Sequence, residues 1–140
     1  MSRENVEFVE GLLAGVGGMD RDALLAALPA LISQICDPEV EWVEEPQRAD
    51  GRTYRGREGV RESVERWLDG FQEYGLELER CEDCGEDVLV VLREHARGVA
   101  SGARISARSY ALLTIRDERL VRYRGFYDES AARRAAGAGV

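Results

Sequence analysis

Lysine is absent from this chain, and all 19 basic side chains are arginine. This absence excludes a Schiff-base nucleophile and the lysine of a phosphate-binding loop. The chain also lacks an apolar run near the ~20 residues needed to cross a bilayer, and MSRENVEF at its start has no apolar signal-peptide core. We therefore expect a soluble, cytoplasmic protein that makes no use of a membrane.

Acidic side chains outnumber basic ones, which gives a formal net charge of −8. Binding a nucleic-acid backbone requires a basic face that releases counterions, so nucleic acid is not the expected partner. The length of 140 residues suits one domain with one core. We expect a single domain over 1–140, with a folded core over about 5–130 and a short helix and flexible tail over 131–140.

Cysteine is scarce, and the three present, Cys36, Cys81 and Cys84, lack the spacing of a disulfide framework. Cys81 and Cys84 form a C-x-x-C pair, the spacing of a redox site or of half a zinc site. The pair lacks a strand-to-helix context, so we favour a turn, CEDCGED, between two strands. No metal or cofactor is predicted, and the redox or metal interpretation stays open as an alternative.

Helical periodicity is the strongest pattern that is present. Apolar residues recur at helical spacing from Arg57 to Tyr74, which predicts one long helix with a buried stripe. Two earlier helices are predicted, one over Asn5 to Val16 and one beginning after Asp20 as N-cap. Pro29 lies inside the second and predicts a kink or a restart. A last helix is predicted over Glu129 to Ala136.

Alternating apolar and polar residues predict five strands. Their expected ranges are 39–44, 76–79, 87–97, 105–116 and 120–127, and a polar loop is expected from Glu45 to Gly56, with Pro46 in it. Ser101-Gly102 and Asp117-Glu118 supply turns between the later strands. The order of these elements predicts an α+β domain in which helices cover one face of a strongly bent mixed sheet.

Four stretches resemble the SnoaL-like branch of the nuclear transport factor 2-like superfamily, which includes ketosteroid isomerase relatives. They are SRENVEFVEGLL, DPEVEW at 37–42, YRGREGV through Trp67, and LTIRD at 113–117 through FYD at 126–128. The resemblance implies a cone-shaped, cystatin-like α+β roll, a curved mixed sheet wrapped around three helices with an apolar pocket at the wide end. It also implies a homodimer formed through the outer sheet face.

Three polar residues are candidates for catalysis. Glu44 has the parity of Trp42 on the first strand, which makes it a candidate base, although a solvated position at the strand end is favoured. Arg93 and His95 share a strand face with Leu89 and Val91, and His95 is the one side chain whose ordinary pKa lies near 7. Strand parity leaves open which face is the inner one.

The sequence departs from the pattern of this family at several positions. Arg93-x-His95 resembles the Arg-x-Asp of members similar to limonene epoxide hydrolase, with histidine in place of the acid. Ala111 stands where many SnoaL-like sequences carry histidine. Members of the epoxide hydrolase type also use an acid on the last strand, and the matching region here, Arg122-Tyr-Arg-Gly-Phe126, has none, so an epoxide hydrolase assignment is not favoured.

Aromatic residues are expected to line the pocket, where tyrosine hydroxyls would donate to a carbonyl or enolate oxygen. The candidates are Trp42, Tyr54, Trp67, Phe71, Tyr110, Tyr123 and Tyr127. The leading hypothesis is a pocket for a small, largely apolar organic molecule, with cofactor-free proton transfer of the isomerase or cyclase type if the protein is an enzyme. The alternative is a non-catalytic ligand-binding or dimerisation module.

Overall fold

The computed structural model describes residues 2–45 and 48–138. Pro46, which the sequence assigns to a polar loop, and the end of the expected tail, Gly139 and Val140, lie outside the described residues. Four helices are present: α1 (Ser2–Val16), α2 (Arg21–Ile35), α3 (Gly56–Leu68) and α4 (Glu129–Ala138). The six strands are β1 (Cys36–Val43), β2 (Thr53–Arg55), β3 (Phe71–Cys84), β4 (Asp87–Gly98), β5 (Arg104–Arg116) and β6 (Arg119–Phe126).

The strands form one mixed sheet in the order β2-β1-β6-β5-β4-β3. Only β1 and β6 are parallel among the pairs of described strands, and the other neighbours are antiparallel. Register shifts interrupt β3 twice, between Phe71 and Glu73 and between Leu78 and Arg80. Such irregularities bend a strand and increase its twist. The α+β prediction with a mixed sheet is therefore confirmed.

The predicted long helix is too long, because α3 ends at Leu68 and β3 begins at Phe71. Asp69-Gly70 forms the turn between them, and glycine is a poor residue for continuing a helix. Phe71 and Tyr74 still pack against the helical core although they belong to a strand. These two residues continue the helical spacing by chance, because they belong to the strand that follows the helix.

Other boundaries also differ from those predicted. The polar loop contains a short strand, β2, which pairs with the end of β1 and protects its edge. Of the two alternatives expected at Pro29, the restart does not occur, because α2 continues through Pro29 as one helix. Asp20 accepts a hydrogen bond from the Ala23 N–H at 2.8 Å and is the N-cap. Asp117 and Glu118 both have positive φ and form the expected two-residue turn.

The helices lie on both faces of the sheet, so the expectation that they cover one face is correct for α1, α2 and α3 and wrong for α4. The inner face packs against α1, α2 and α3, with a core that includes Val9, Leu28, Val60, Val88 and Val90. On the outer face, α4 packs Ala132 and Ala136 on Leu89 and Leu112. None of the described helices combines the length and the apolarity needed to cross a bilayer. Because of α4, apolar residues occupy both faces of β4.

Candidate functional site

A cavity of about 290 Å³ lies between the three inner helices and the inner face of the sheet. This volume is at the lower end of the range for small-molecule pockets, roughly 300–1,000 Å³. Most of its wall is aliphatic, contributed by residues such as Leu28, Ile32, Val64 and Val90. Aromatic rings complete the wall: Trp42, Trp67, Tyr74, Tyr110, Tyr123, Phe126 and Tyr127.

Strand β4 directs one carboxylate into this cavity. Val88 and Val90 belong to the inner core, so the residues of even number on β4 face inward, and Leu92 and Glu94 line the cavity. The hydroxyl of Tyr74, on the neighbouring strand β3, donates a short hydrogen bond to Oε2 of Glu94. Among the described residues Oε1 of Glu94 has no hydrogen-bond partner.

Tyr74 connects that carboxylate to the apolar cluster around helix α3. Trp67 of α3 packs on the same cluster as Tyr74, whose hydroxyl donates to Glu94. Burial raises the pKa of Tyr74 far above its usual value, and the negative charge of Glu94 adds to the effect. The phenol therefore stays protonated and remains a hydrogen-bond donor at neutral pH.

Glu44 lies at the cavity with its oxygens already engaged. It is 6% exposed, so the favoured expectation that it is solvated is wrong. Its Oε1 accepts from the backbone N–H of Arg52 at 3.0 Å, and its Oε2 accepts from the hydroxyl of Ser63 at 2.6 Å. Arg48 lies 3.6 Å from Oε2. These donors compensate for the loss of water around the buried carboxylate.

Arg48 is the single cationic side chain among the described residues that line the cavity. Its guanidinium lies over the ring of Trp67, 5.1 Å from the centroid, and its Nε lies 3.0 Å from Oδ1 of Asp50. The nearby Glu45 is buried, and it accepts a short hydrogen bond from the backbone N–H of Tyr127. The contact of Arg48 with Trp67 and the hydrogen bond from Tyr127 to Glu45 hold the segment after β1 against the wall of the cavity.

Trp42 and Tyr123 stack face to face on the inner side of β1 and β6, with centroids 3.9 Å apart and planes at 13°. The two residues are directly paired in the parallel ladder, which brings their rings together. Desolvation raises the pKa of Tyr123, and the carboxylates of Glu94, Glu44 and Glu45 raise it further. The negative charges thus converge on this part of the cavity.

The structure does not bring Arg93 or His95 to the cavity. They share a face with Leu89 and Val91, as expected, but this face is the outer one. Arg93 lies 3.3 Å from Glu79, and Nε2 of His95 lies 3.3 Å from Glu77 with the histidine side chain 57% exposed. Neither side chain is within reach of a ligand in the cavity, because the sheet lies between.

Five of the seven predicted aromatic residues line the cavity, and Tyr54 and Phe71 do not. Tyr54 is buried under α3, where its hydroxyl accepts from Arg66 at 3.2 Å. Phe71 packs edge-on against Trp67, 5.1 Å away, and supports a ring that does line the cavity.

Cys81 and Cys84 lie within β3, and the turn that separates β3 from β4 is Gly85-Glu86. Residues three apart on a strand point to opposite faces. Accordingly Cys81 packs on the inner core, and Cys84 packs on the cluster beneath α4. Burial raises the pKa of Cys81 to about 11, which disfavours the reactive thiolate. No group of three potential metal ligands occurs among the described residues.

Sequence reasoning missed Glu94, Tyr74, Arg48 and Ser63 as cavity residues. The alternation along β4 places Glu94 on the same face as Val88 and Val90. This did not identify Glu94 as a cavity residue, because the other face is also apolar near the start of the strand, where α4 covers it. Tyr74 was assigned to a helix. Arg48 and Ser63 have no pattern of their own and are identified only by their contacts.

Comparisons with known proteins agree with this architecture. The model of the SnoaL-like domain matches residues 9–123. Among solved structures, TerC crystallised with polyporic acid is similar, with a TM-score of 0.66, 20% identity and coverage of 95% of this chain and 98% of that one. A Catenulispora acidiphila protein with a ketosteroid isomerase-like fold, in complex with trimethylamine, has a TM-score of 0.66, 18% identity and coverage of 94% and 92%.

TsrD from Streptomyces laurentii is also similar, with a TM-score of 0.65, 23% identity and coverage of 99% and 98%. A search of curated proteins gives no significant match. At these identities the structural likeness concerns the fold.

Proposed function

The chain belongs to the SnoaL-like domain family, and we propose that its cavity binds a compact, largely apolar organic molecule. The observation that carries the proposal is the cavity of about 290 Å³ itself, with aliphatic and aromatic walls and a few polar groups among them. A well-formed apolar pocket with convergent polar groups is the usual form of a small-molecule site. Two proteins of similar fold were crystallised with small molecules, polyporic acid and trimethylamine, which supports the class of ligand.

Binding is tested with a panel of compact ring compounds that includes 2-tetralone, by calorimetric titration and thermal unfolding. Ser109 lines the cavity from β5, so Ser109→Phe should fill part of it and weaken binding by at least tenfold. Ser106→Phe is the matched control, because Ser106 is exposed and of opposite parity on the same strand. A ligand that binds the native state should also raise the melting temperature.

The proposal fails if no panel member binds, or if Ser109→Phe and Ser106→Phe bind a given compound with equal affinity. Circular dichroism and the melting temperature of each variant without ligand establish that both are folded. This separates a blocked cavity from a damaged fold.

Cofactor-free proton transfer is a second candidate, favoured by Oε1 of Glu94, which has no hydrogen-bond partner among the described residues, beside the protonated Tyr74 hydroxyl. Glu94 would take a proton on Oε1 from carbon next to a carbonyl. Tyr74 has one O–H, so it would leave Oε2 of the newly protonated Glu94 and donate to the developing oxyanion. Glu44, the base expected from sequence, would have to give up contacts with Ser63 or Arg52 to reach a substrate.

Exchange of the α-protons of 2-tetralone in D₂O, followed by proton NMR, tests this candidate. Glu94→Gln should lower the rate above background by roughly 100-fold or more, as expected for loss of a general base. Glu77→Gln removes the same charge from the outer face and should have no effect. Binding without any exchange above background would instead favour the non-catalytic alternative.

The homodimer and the cytoplasmic location expected from sequence stay predictions. Val99 and Ile105, which are 53% and 47% exposed, are apolar residues that an interface on this end of the sheet would cover. Light scattering after size-exclusion chromatography measures the oligomeric state. Ile105→Glu should convert such a dimer to monomers.

A further inference from the structure

The charged groups around the cavity are not balanced. Three carboxylates line it, those of Glu44, Glu45 and Glu94, against the one guanidinium of Arg48. Their formal sum is an excess of two negative charges within the part of the chain that the structure describes. An apolar cavity focuses such a charge because its low dielectric screens poorly.

Among the described residues that line the cavity, the one cation, Arg48, already forms ion pairs with carboxylates. Arg48 lies 3.6 Å from Glu44 and 3.0 Å from Asp50. An anionic ligand would therefore have to compete with two carboxylates for this guanidinium, in a cavity that carries negative charge elsewhere. The arrangement disfavours anions.

Glu94 stands apart from this compensated group. Its one hydrogen-bond partner among the described residues is the neutral hydroxyl of Tyr74, and no described cation forms an ion pair with it. A half-buried carboxylate with a neutral partner gains most from a cation that arrives with the ligand. The remaining oxygen, Oε1, is the atom that would accept an N–H or lie against a quaternary nitrogen.

The walls offer a second source of attraction for a cation. The faces of electron-rich aromatic rings attract ammonium groups, and the stacked pair of Trp42 and Tyr123 forms part of the wall. The position of Arg48 over Trp67 is an example within the chain, because a guanidinium already lies on an aromatic ring of this cavity.

From these observations we infer that the cavity selects a compact organic cation, a ring compound with a protonated or quaternary nitrogen, over a neutral molecule of the same shape. The inference rests on the proposed binding of a small organic molecule, and it does not require proton transfer. The nitrogen would lie beside Glu94, and the apolar part would lie against the aliphatic wall formed by α2 and α3.

The test uses three probes of equal size and different charge. Phenyltrimethylammonium is positive, tert-butylbenzene is its neutral isostere, and phenylphosphonate is negative. Dissociation constants are measured by titration calorimetry or by competition in 150 mM NaCl, which screens the general attraction of an acidic protein for cations. We expect the cation to bind at least tenfold more tightly than the neutral isostere and phenylphosphonate to bind weakest.

Two matched variants locate the effect. Glu94→Gln keeps the side-chain shape and an acceptor for Tyr74, and it should reduce the cation preference about tenfold while changing the affinity for tert-butylbenzene by less than twofold. Glu77→Gln removes one negative charge from the outer face and should leave the preference intact. Ser109→Phe should weaken the cation and the neutral probe together.

Each contrary outcome has a separate meaning. Equal affinity for the cation and its neutral isostere, or tighter binding of phenylphosphonate, overturns the inference and leaves the proposed binding function standing. A cation preference that survives in Glu94→Gln also overturns it. Cation binding that is undiminished in Ser109→Phe assigns the attraction to the acidic surface and rejects the site. If none of the three probes binds, the inference fails, and the panel of ring compounds decides separately whether the proposed binding function stands.

Discussion

The two faces of β4 carry the same kind of sequence and serve different purposes. Both faces carry buried valine or leucine in the first half of the strand, and each carries a charged or polar residue further along. On the inner face Glu94 meets a phenol inside a cavity. On the outer face Arg93 and His95 meet glutamates in solvent. The same alternation thus produces a candidate site on one side and a solvated charge ladder on the other.

The difference lies in what surrounds each polar group. Ion pairs on an exposed face gain little, because water screens them and the long side chains lose entropy when they pair. A polar group against a cavity loses water, so its remaining partners decide its protonation and what it binds. Residue type alone ranks His95 above Glu94, since histidine is the more familiar catalytic residue, whereas the position in the cavity wall favours Glu94 as the candidate.

The outer face is not exposed to solvent everywhere, and the largest expected effect on stability comes from Leu89, where α4 covers it. Its side chain is fully buried between the sheet and α4. Leu89→Ala should lower the free energy of unfolding by about 2–5 kcal/mol, measured by urea denaturation, because it leaves a cavity beneath the helix. Glu10→Ala, at an exposed position on α1, is the control and should cost less than about 0.5 kcal/mol. A loss below about 1 kcal/mol for Leu89→Ala would mean that α4 does not pack as described.

On the inner side, loss of the hydrogen bond from Ser63 to Glu44 should lower the free energy of unfolding by an intermediate amount. Ser63→Ala removes the hydroxyl that donates to Oε2 at 2.6 Å and leaves a buried carboxylate with one partner fewer. The expected loss is about 1–3 kcal/mol in the free energy of unfolding. Ser106→Ala, on the exposed outer face, is the control and should be nearly neutral. Equal effects of the two substitutions would contradict the contrast between the faces.

His95→Ala should have the smallest effect. The 3.3 Å contact with Glu77 joins two side chains that are 57% and 63% exposed, so the expected change in unfolding free energy is below about 0.5 kcal/mol. Affinity for any cavity ligand should change by less than twofold. A large loss of affinity or turnover would return His95 to the site and show that the outer face takes part in function.

The elements of the fold were largely predictable, because each depends on local patterns. Asp20 as an N-cap, the Asp117-Glu118 turn and the long alternating strands are all visible in short windows. The end of α3 was not, since Phe71 and Tyr74 continue the helical spacing by chance beyond Gly70. A short strand such as β2 is equally hard to predict, because it is defined by its pairing with β1.

The candidate site was predictable only in part. The aromatic character of the wall followed from Trp42, Trp67 and Tyr123, whose positions on inner faces agree with their periodicity. Glu94 did not follow, because choosing the inner face of β4 requires knowing that α4 packs on the other one. Alternation gives two faces and contains no information about which is enclosed.

By itself the sequence determined the class of fold, the family and the mixture of apolar and acidic groups available for a site. These depend on composition, local periodicity and motif order, which are properties of the chain. The tertiary structure decided which groups leave water. Tyr74 and Glu94, 20 residues apart, meet because β3 and β4 pair and their inner faces close over a cavity. The walls of a cavity depend on such distant contacts, and it is their place in this wall that makes these two residues, and not His95, the candidates for function.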